Sequence, residues 1–386
     1  MGVEPRRRRA TISGAVITTV AGLLALQSVG CATDRTEGAG SVPEPFAPRL
    51  TGSAGVPYSM TENVALVDPE TACTVDTYDV KIVCVERSGG LVATFGSQGE
   101  GPGEFLTPTS LVRGIDGTLG FLDRNTFHVV TPLGVAVRET ELPVSLFEPI
   151  SPFGTTVRGT YPSSFNVASF GVGLVAVEID VETGEILREW RPASFALVDE
   201  CGAPAFGFPV DGEHPHSSWV FLGCDGYLAF THGSGQTKVM KAPTYTGETP
   251  SERDVTSHRE LLVELRRRVE QMTGRPRAAR DLDASVEEYA GRAKLYYLQR
   301  GQETLDTEGR VWITTSRDRD KQSFLDVYRG EEFYGTVMVR DRMIDFDVDG
   351  STLAVLVERG IGPGDPDGVA DWAIDWYDIS GFGESG

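Results

Sequence analysis

A short unit recurs along the chain from about residue 60 to residue 380 and constrains the fold more than any other feature. It consists of an acidic residue, a glycine, a short apolar run, a polar loop, a second apolar run and a glycine turn. The unit is clearest in "DGTLGFLDRNTFHVVTPLG" (116–134) and returns in "GVGLVAVEIDVETGEILREW" (171–190) and "DVDGSTLAVLVERG" (347–360). Short apolar runs bounded by turn residues are typical of β-strands. The 45 glycines among 386 residues fit a fold with many tight turns.

Repeated units of this kind cannot bury their own faces, so successive copies must stack. Four-stranded sheets arranged around an axis achieve this and leave few long exposed edges. With the N-terminal segments and a helical insertion set aside, roughly 280 residues remain, which corresponds to about six blades of ~40–50 residues. The sequence therefore predicts an all-β fold, a β-propeller over residues 58–382 with six blades of four antiparallel strands. Five or seven blades remain open.

The stretch "ATFGSQGEGPGEFLTPTSL" (93–111), followed by the unit at 116–134, resembles the linker and blade of NHL-type propellers. Its core, Gly99 to Phe105, is similar to the Gly-Glu-Gly-Pro-Gly-Glu-Phe linker of bacterial six-bladed β-propeller lipoproteins and matches it at every position. The resemblance implies an exported, membrane-anchored propeller. The specific motif is short, and the other units follow the NHL pattern only loosely.

The same glycine-rich stretch does not have the chemistry of a phosphate-binding loop. Such a loop needs Lys and Ser or Thr after its last glycine, whereas Gly103 is followed by Glu104 and Phe105. We expect instead a connection from the outer strand of one blade to the innermost strand of the next. Glycines would supply positive φ angles, and Phe95 and Phe105 would be buried at its two ends.

The N-terminus has the three-part layout of a secretory signal. A basic run, Arg6–Arg9, precedes an apolar core, and small residues precede Cys31. Residues 1–30 are predicted to be a lipoprotein-type signal peptide, with Cys31 as the lipid-modified first residue; ordinary cleavage after Gly30 is the alternative. Residues 31–57 read as a flexible linker. The expected location is the bacterial cell envelope, tethered to a membrane.

Export makes disulfide bonds the expected state of the other four cysteines. Pairing by proximity in sequence predicts Cys73–Cys84 and Cys201–Cys224. Three connectivities are formally possible. A structural zinc site would need closely spaced cysteine pairs, which the sequence lacks.

Residues 251–300 interrupt the β pattern and predict a helical hairpin inserted in the propeller. Ser251 is the expected N-cap of its first helix. The apolar residues of that helix recur at helical spacing: Val255, Leu262, Leu265, Val269 and Met272. Either the hairpin packs on the propeller, or it acts as a lid or docking arm over one mouth of the central channel.

The motif "DFDVDG" places Asp345, Asp347 and Asp349 in the alternation of a calcium-binding loop. An EF-hand would also need an acidic residue at its twelfth position, where Leu356 stands. The same alternation fits a strand with a solvated edge that enters a turn at Gly350. Calcium is the only cofactor that the sequence suggests, and these aspartates are its weak candidates.

The sequence has five histidines: His128, His214, His216, His232 and His258. His128 lies in the strand-like run "FHVV" and is expected to be a packed or rim residue. His214, His216 and His232 are close enough in sequence to be considered for a metal site. No acidic partner is spaced to complete a metal site with them. The sequence contains no Gly-x-Ser-x-Gly nucleophile motif. The net charge of −21 argues against a nucleic-acid partner.

Two functions are consistent with these features. The first is a non-enzymatic scaffold in the cell envelope that binds an envelope protein or a small ligand. The alternative is a metal-dependent propeller hydrolase or lactonase with its site at a mouth of the channel. Its carboxylates would come from different blades, so local sequence motifs cannot identify them.

Overall fold

The computed structural model describes residues 43–56, 63–76, 79–146, 149, 151–166, 171–190, 206–209, 218–222, 226–232, 237–273, 282–294, 296–297, 303–320, 322–359 and 371–383. These residues form twenty-three strands and two helices. The strands are β1 Arg49–Val56, β2 Val64–Asp68, β3 Thr71–Asp76, β4 Lys81–Glu86, β5 Leu91–Phe95, β6 Pro108–Arg113, β7 Leu119–Asp123, β8 Thr126–Val130, β9 Ala136–Glu141, β10 Thr156–Asn166, β11 Gly171–Asp180, β12 Ile186–Trp190, β13 Phe206–Pro209, β14 Ser218–Leu222, β15 Tyr227–His232, β16 Thr237–Lys241, β17 Glu303–Leu305, β18 Arg310–Thr314, β19 Gln322–Arg329, β20 Glu332–Arg340, β21 Arg342–Asp349, β22 Thr352–Glu358 and β23 Trp372–Asp378.

The strands form six antiparallel sheets, and the chain is an all-β propeller. We number the sheets in chain order: β2–β5, β6–β9, β10–β12, β13–β16, β17–β20, and β21–β23 completed by β1. Five sheets have four strands, as expected for every blade. The third sheet differs, because it has three strands within the described residues.

The first strand of each sheet lies nearest the axis. β2 packs beside both β6 and β21, β17 packs beside β21, and β10 packs beside β13. Within a sheet, each following strand pairs with the one before it and lies farther out. Apolar side chains from facing sheets fill the space between them, so that β21, β22 and β23 of the sixth sheet are buried along almost their whole length.

The sixth sheet joins the two ends of the chain. β1 pairs antiparallel with β23 from Arg49 opposite Asp378 to Val56 opposite Trp372. Side chains add to this pairing, since Ser53 Oγ donates to Asp375 Oδ1 at 2.6 Å and Arg49 pairs with Asp378 at 2.8 Å. The ring is therefore closed by a strand from the N-terminal side and three strands from the C-terminal side.

The propeller has two unlike faces. The turn face carries the connections between first and second strands and between third and fourth strands, such as Pro69–Glu70 and Arg87–Gly90 of the first sheet. These two turns are joined, because Arg87 N–H donates to the Glu70 carbonyl at 2.8 Å. The linker face carries the connections from each outer strand to the next inner strand.

The first sheet contains the predicted disulfide bond between Cys73 and Cys84. The two cysteines lie directly opposite each other on β3 and β4, and both are fully buried. They belong to an apolar cluster between the first and second sheets that also includes Ile82, Phe105 and Phe121. Cys201 and Cys224, the other predicted pair, lie outside the described residues.

Two helices, α1 Glu252–Thr273 and α2 Leu282–Ala290, occur in the connection from β16 to β17, within the predicted insertion. α1 begins as expected: Ser251 Oγ accepts the Asp254 N–H, and Asp254 Oδ2 accepts the Ser251 N–H, both at 3.1 Å. This reciprocal cap satisfies amides that the first helical turn leaves without partners. α2 packs on α1 through the stacked rings of His258 and Tyr289, 4.0 Å apart.

Candidate functional site on the propeller axis

A small cavity of about 50 Å³ lies between the innermost strands. Its wall is built by residues from β2, β6, β17 and β21 and by the segment that precedes β10. Four of its lining residues have neutral polar side chains, and its one charged lining residue is Asp345. The lining residues are Asn63, Val64, Ser110, Leu111, Val112, Pro149, Ser151, Thr304, Asp345 and Phe346.

Arg113 extends from the end of β6 to the end of β21 and joins the second sheet to the sixth. Its Nη2 donates to the Val348 carbonyl at 2.8 Å, and its Nε donates to Asp347 Oδ2 at 3.3 Å. Its Nη1 lies 3.3 Å from Asp349 Oδ1. Arg113 and Asp347 are buried, so this ion pair is shielded from water and each charge depends on the other.

Asp345 and Asp347 bind the backbone of the neighbouring inner strand. Asp345 Oδ2 accepts the Val64 N–H at 2.7 Å, and Asp347 Oδ2 accepts the Leu66 N–H at 2.9 Å. The two carboxylates stand two residues apart on β21 and face the same side. Burial raises the pKa of Asp347, while the charge of Arg113 and the amides of Leu66 and Val348 act in the opposite direction.

These contacts give the aspartates of "DFDVDG" a structural role. The motif forms a strand, as the alternation predicts. The predicted solvated edge is wrong, because Asp345 and Asp347 are buried between sheets. No group of three or more His, Cys, Asp or Glu side chains is arranged to hold a metal ion in the part of the chain that the structure describes. The calcium assignment to Asp345, Asp347 and Asp349 stays a prediction.

Ser151, in the segment before β10, contacts the inner strands of two other sheets. Arg113 N–H donates to Ser151 Oγ at 3.0 Å. The Ser151 carbonyl in turn accepts from the Leu305 N–H and from Thr304 Oγ1, each at 3.4 Å. Ser151 therefore links the inner strands of the second and fifth sheets.

The glycine-rich stretch is the predicted connection, because it runs from β5, an outer strand, to β6, an inner strand. Gly96 and Gly103 have positive φ angles of 96° and 76°. Gly101 does not have a positive φ, so the expected conformational role is confirmed only in part. Phe105 is buried, and its ring contacts Phe121 edge-on at 4.8 Å.

His128, which the sequence predicts to be a packed or rim residue, lies against the apolar cluster of Phe105 and Phe121, with its ring 5.5 Å from that of Phe105. Its ring stacks on Phe121 at 5.0 Å, and its Nδ1 lies 3.6 Å from Glu139 Oε1. Burial lowers the pKa of His128, although the charge of Glu139 acts to raise it. His128 therefore has a packing role.

The two segments that flank the helical hairpin are both bound to a buried carboxylate, that of Asp326. Asp326 Oδ2 accepts from Thr244 Oγ1 at 2.6 Å, before α1, and from Tyr297 OH at 3.1 Å, after α2. Its Oδ1 accepts from Thr336 Oγ1 at 2.8 Å. Burial raises the pKa of Asp326, and these hydroxyl donors partly oppose the shift. Both ends of the insertion are thus attached to the fifth sheet.

A second network fixes the start of α1 to the linker face. Lys294 lies 3.0 Å from Glu248 and 3.4 Å from Asp254. Arg342, the first residue of β21, and Arg253 of α1 both pair with Glu358, at 3.3 Å and 2.6 Å. Burial acts to raise the pKa of Asp254, but the Ser251 N–H and the Lys294 ammonium outweigh it and lower the pKa.

Several predicted residues lie outside the described residues: Cys31, Cys201, Cys224, His214 and His216. Arg113 was not a candidate from the sequence, although its guanidinium pairs with both Asp347 and Asp349. A lone arginine before a glycine turn carries no signal, and its partners are more than 230 positions away. Within the described ranges, no helix has the length and apolar character needed to span a membrane.

The chemistry available on the axis is limited. The Asp347 carboxylate is bound by Arg113 and two amides, and Asp345 is bound to an amide of β2. Ligand pockets usually enclose about 300–1,000 Å³, whereas the axial cavity of about 50 Å³ has room for one or two water molecules. The arrangement holds neighbouring sheets together.

No family model matches the chain, and no curated protein matches it in sequence. Solved structures with a similar outline include a member of the DUF4221 family from Bacteroides vulgatus, with a TM-score of 0.44, 8% identity, and coverage of 86% of this chain and 97% of that one. A protein from Bacteroides fragilis that is described as exported has a TM-score of 0.43 and 9% identity, with coverage of 85% of this chain and 94% of that one. Regucalcin from Agrobacterium tumefaciens, a calcium-binding protein, has a TM-score of 0.42 and 11% identity, with coverage of 87% of this chain and 97% of that one. Similarity at this level assigns neither a family nor a function.

Proposed function

We propose that the chain is a non-enzymatic binding scaffold of the bacterial cell envelope. It is a six-bladed propeller that is exported, tethered to a membrane through Cys31, and able to bind an envelope protein or a small ligand on its surface. The observation that supports this proposal is the use of the axial polar groups. Arg113, Asp345 and Asp347 bind across sheets, where a propeller enzyme would need groups directed at a substrate.

The six-bladed arrangement follows if the sheet of β10–β12 is one blade of the ring. The other five sheets already have four strands each. Residues 191–205 separate β12 from β13 and contain Cys201, which we assign to a disulfide bond with Cys224. A peptide map of the oxidised protein tests this assignment. A free thiol at Cys201 or Cys224 would contradict it.

The alternative function, a metal-dependent hydrolase or lactonase, makes a different prediction about metal content. We expect purified protein to contain no stoichiometric divalent ion and its Tm to be unchanged by EDTA. Asp345→Asn tests the axial cavity, and Asp116→Asn is the control, because Asp116 lies in an exposed turn where its carboxylate bonds to Thr118. A stoichiometric ion that is lost in Asp345→Asn and retained in Asp116→Asn would overturn the scaffold proposal.

The tether is tested separately. Mass spectrometry of the protein purified from the membranes of expressing cells should identify an N-terminal peptide that begins with acylated Cys31. Cys31→Ala should release the protein from those membranes. An unmodified N-terminus at residue 31 would show ordinary cleavage and contradict the lipid tether.

A further inference from the structure

The turn face of the propeller carries the most exposed large apolar side chains of the described residues. Ile115 is 72% exposed, Leu91 and Leu133 are each 67% exposed, and Val135 is 61% exposed. Leu91 follows the turn Arg87–Gly90 of the first sheet, and the other three lie in the two turns of the second sheet. Side chains exposed on different strands of a soluble protein are ordinary when scattered, but these four lie on one face.

The turns of the two sheets belong to one face, as direct contacts show. A Cβ atom on Gly117, in the same turn as Ile115, would lie 3.8 Å from the carbonyl oxygen of Val67, at the end of β2. A Cβ atom on Gly89, two residues before Leu91, would lie 3.7 Å from the carbonyl oxygen of Ser53 in β1. The apolar turns of the first two sheets are thus continuous with the outer strand of the sixth.

The turn that carries Leu133 and Val135 is well ordered by its own hydrogen bonds. Thr131 N–H donates to the Val135 carbonyl, and Gly134 N–H donates to the Thr131 carbonyl, both at 2.9 Å. Gly134 has a φ of 79° and packs directly on the ring of Phe95, where a Cβ atom would approach to 2.5 Å. These contacts hold the backbone of the turn in place, with Leu133 and Val135 exposed on it.

The N-terminal segment reaches the propeller at the same face. β1 begins at Arg49, opposite Asp378, at the turn-face end of β23. Immediately before it, Phe46 pairs with β20 through two backbone hydrogen bonds of 2.8 Å and packs on Phe382. A tether upstream of residue 43 would therefore be joined to the propeller at its turn face, whereas the helical hairpin is joined at the linker face.

We propose that the turn face docks on the lipid bilayer to which the N-terminal segment is attached, with Leu91, Ile115, Leu133 and Val135 inserted at the level of the headgroups. This inference rests on the proposed tether at Cys31. From residue 31 to residue 43 there are 43 − 31 = 12 residues, which span at most about 40 Å and on average roughly 20 Å if flexible. A tether of this length holds the face close to the membrane at a high effective concentration.

Charge favours an apolar mode of docking. The chain has a net charge of −21, so anionic headgroups repel it. Binding should therefore depend on apolar insertion and be insensitive to salt, unlike the binding of basic surfaces.

Tryptophan substitutions at matched positions test the docking. Leu133→Trp is compared with Val263→Trp, because Val263 is 50% exposed but lies on α1, at the linker face. Each variant is purified from the membranes of cells that express the full chain, and is reconstituted in phosphatidylcholine vesicles with brominated acyl chains. We expect loss of the added tryptophan's emission for Leu133→Trp, measured against the parent protein, and no loss for Val263→Trp. Ile115→Trp is the second variant on the turn face if Leu133→Trp fails to fold.

Each outcome decides the proposal. Quenching of both positions, of neither, or of Val263→Trp alone would overturn it, and so would quenching that 1 M salt abolishes. Failure of the tether is a separate result, because the acylation of Cys31 is read by mass spectrometry. Quenching at Leu133→Trp without an acylated Cys31 would support docking and reject the tether. An acylated Cys31 without quenching would support the tether and reject docking.

Discussion

Arg113→Met should be among the most destabilising single substitutions in the described chain. The substitution keeps the apolar stem of the side chain and removes the cation that faces Asp347, whose carboxylate is 1% exposed. Removal of one partner of a buried ion pair typically costs about 3–5 kcal/mol, because the remaining charge is left uncompensated. The Val348 carbonyl also loses a donor. We expect a loss of about 3–5 kcal/mol in the free energy of unfolding.

Urea denaturation followed by tryptophan fluorescence measures this loss. The matched control is Arg49→Met, because the pair of Arg49 with Asp378 is exposed and should be worth about 0–1 kcal/mol. The double variant Arg113→Met/Asp347→Asn removes both charges and should be more stable than Arg113→Met alone. A loss below about 1 kcal/mol for Arg113→Met, equal to that of the control, would refute the account of the axial ion pair.

The pH dependence gives a second check on the same pair. The pKa of Asp347 is already raised in the folded protein, and without Arg113 it should rise further. A group whose folded pKa exceeds its unfolded pKa binds a proton preferentially in the folded state, so acidification toward the unfolded pKa favours folding. The gap in stability between Arg113→Met and the parent should therefore narrow from pH 8 to pH 5. A gap that stays constant would mean that Asp347 is not the group left uncompensated.

Three further predictions concern the first two sheets. Gly103→Val should destabilise the protein by about 1–2 kcal/mol, because its φ of 76° is unfavourable for a residue with a Cβ atom, whereas Gly101→Val should cost less; equal losses in urea denaturation would contradict this. The pKa of His128 is lowered in the folded protein, so on acidification the unfolded chain takes up this proton first. The stability that the neutral His128 contributes is therefore complete above about pH 6.5 and declines as the pH falls below that value. His128→Phe should make the free energy of unfolding less dependent on pH between pH 5 and 7, and an unchanged slope would argue against this role of His128. Reduction of the Cys73–Cys84 disulfide, or Cys73→Ala/Cys84→Ala, should lower the free energy of unfolding by about 2–4 kcal/mol, and equal stability of the oxidised and reduced forms would show that the bond is dispensable.

The parts of the fold that local patterns encode were predictable. The repeated unit predicted a propeller, the glycine-rich stretch predicted an outer-to-inner connection, and Ser251 predicted the start of α1. Cys73 and Cys84 were paired correctly because a separation of eleven positions with a turn in between places two cysteines opposite each other in a hairpin. Each of these features depends on residues that are close in sequence.

The axial contacts could not be predicted in the same way. Arg113 and Asp347 are 234 positions apart, and they meet only because the ring brings the second sheet near the sixth. The aspartates of "DFDVDG" had the alternation of a strand, but their burial depends on β2, which approaches from the other end of the chain. Asp326 was likewise no candidate, since its hydroxyl partners come from three separate segments.

The pairing of β1 with β23 sets the order in which the protein can be completed. Synthesis from the N-terminus delivers β1 before all the other described strands and β23 after them. Until then β1 has no strand to pair with, and its backbone donors and acceptors remain accessible to other strands. Loss of the last fifteen residues would remove Trp372 through Asp378 and leave a chain with nearly all its sheets and an open ring. Closure of the ring therefore waits for β23, and a product truncated before β23 has an unpaired edge at β1.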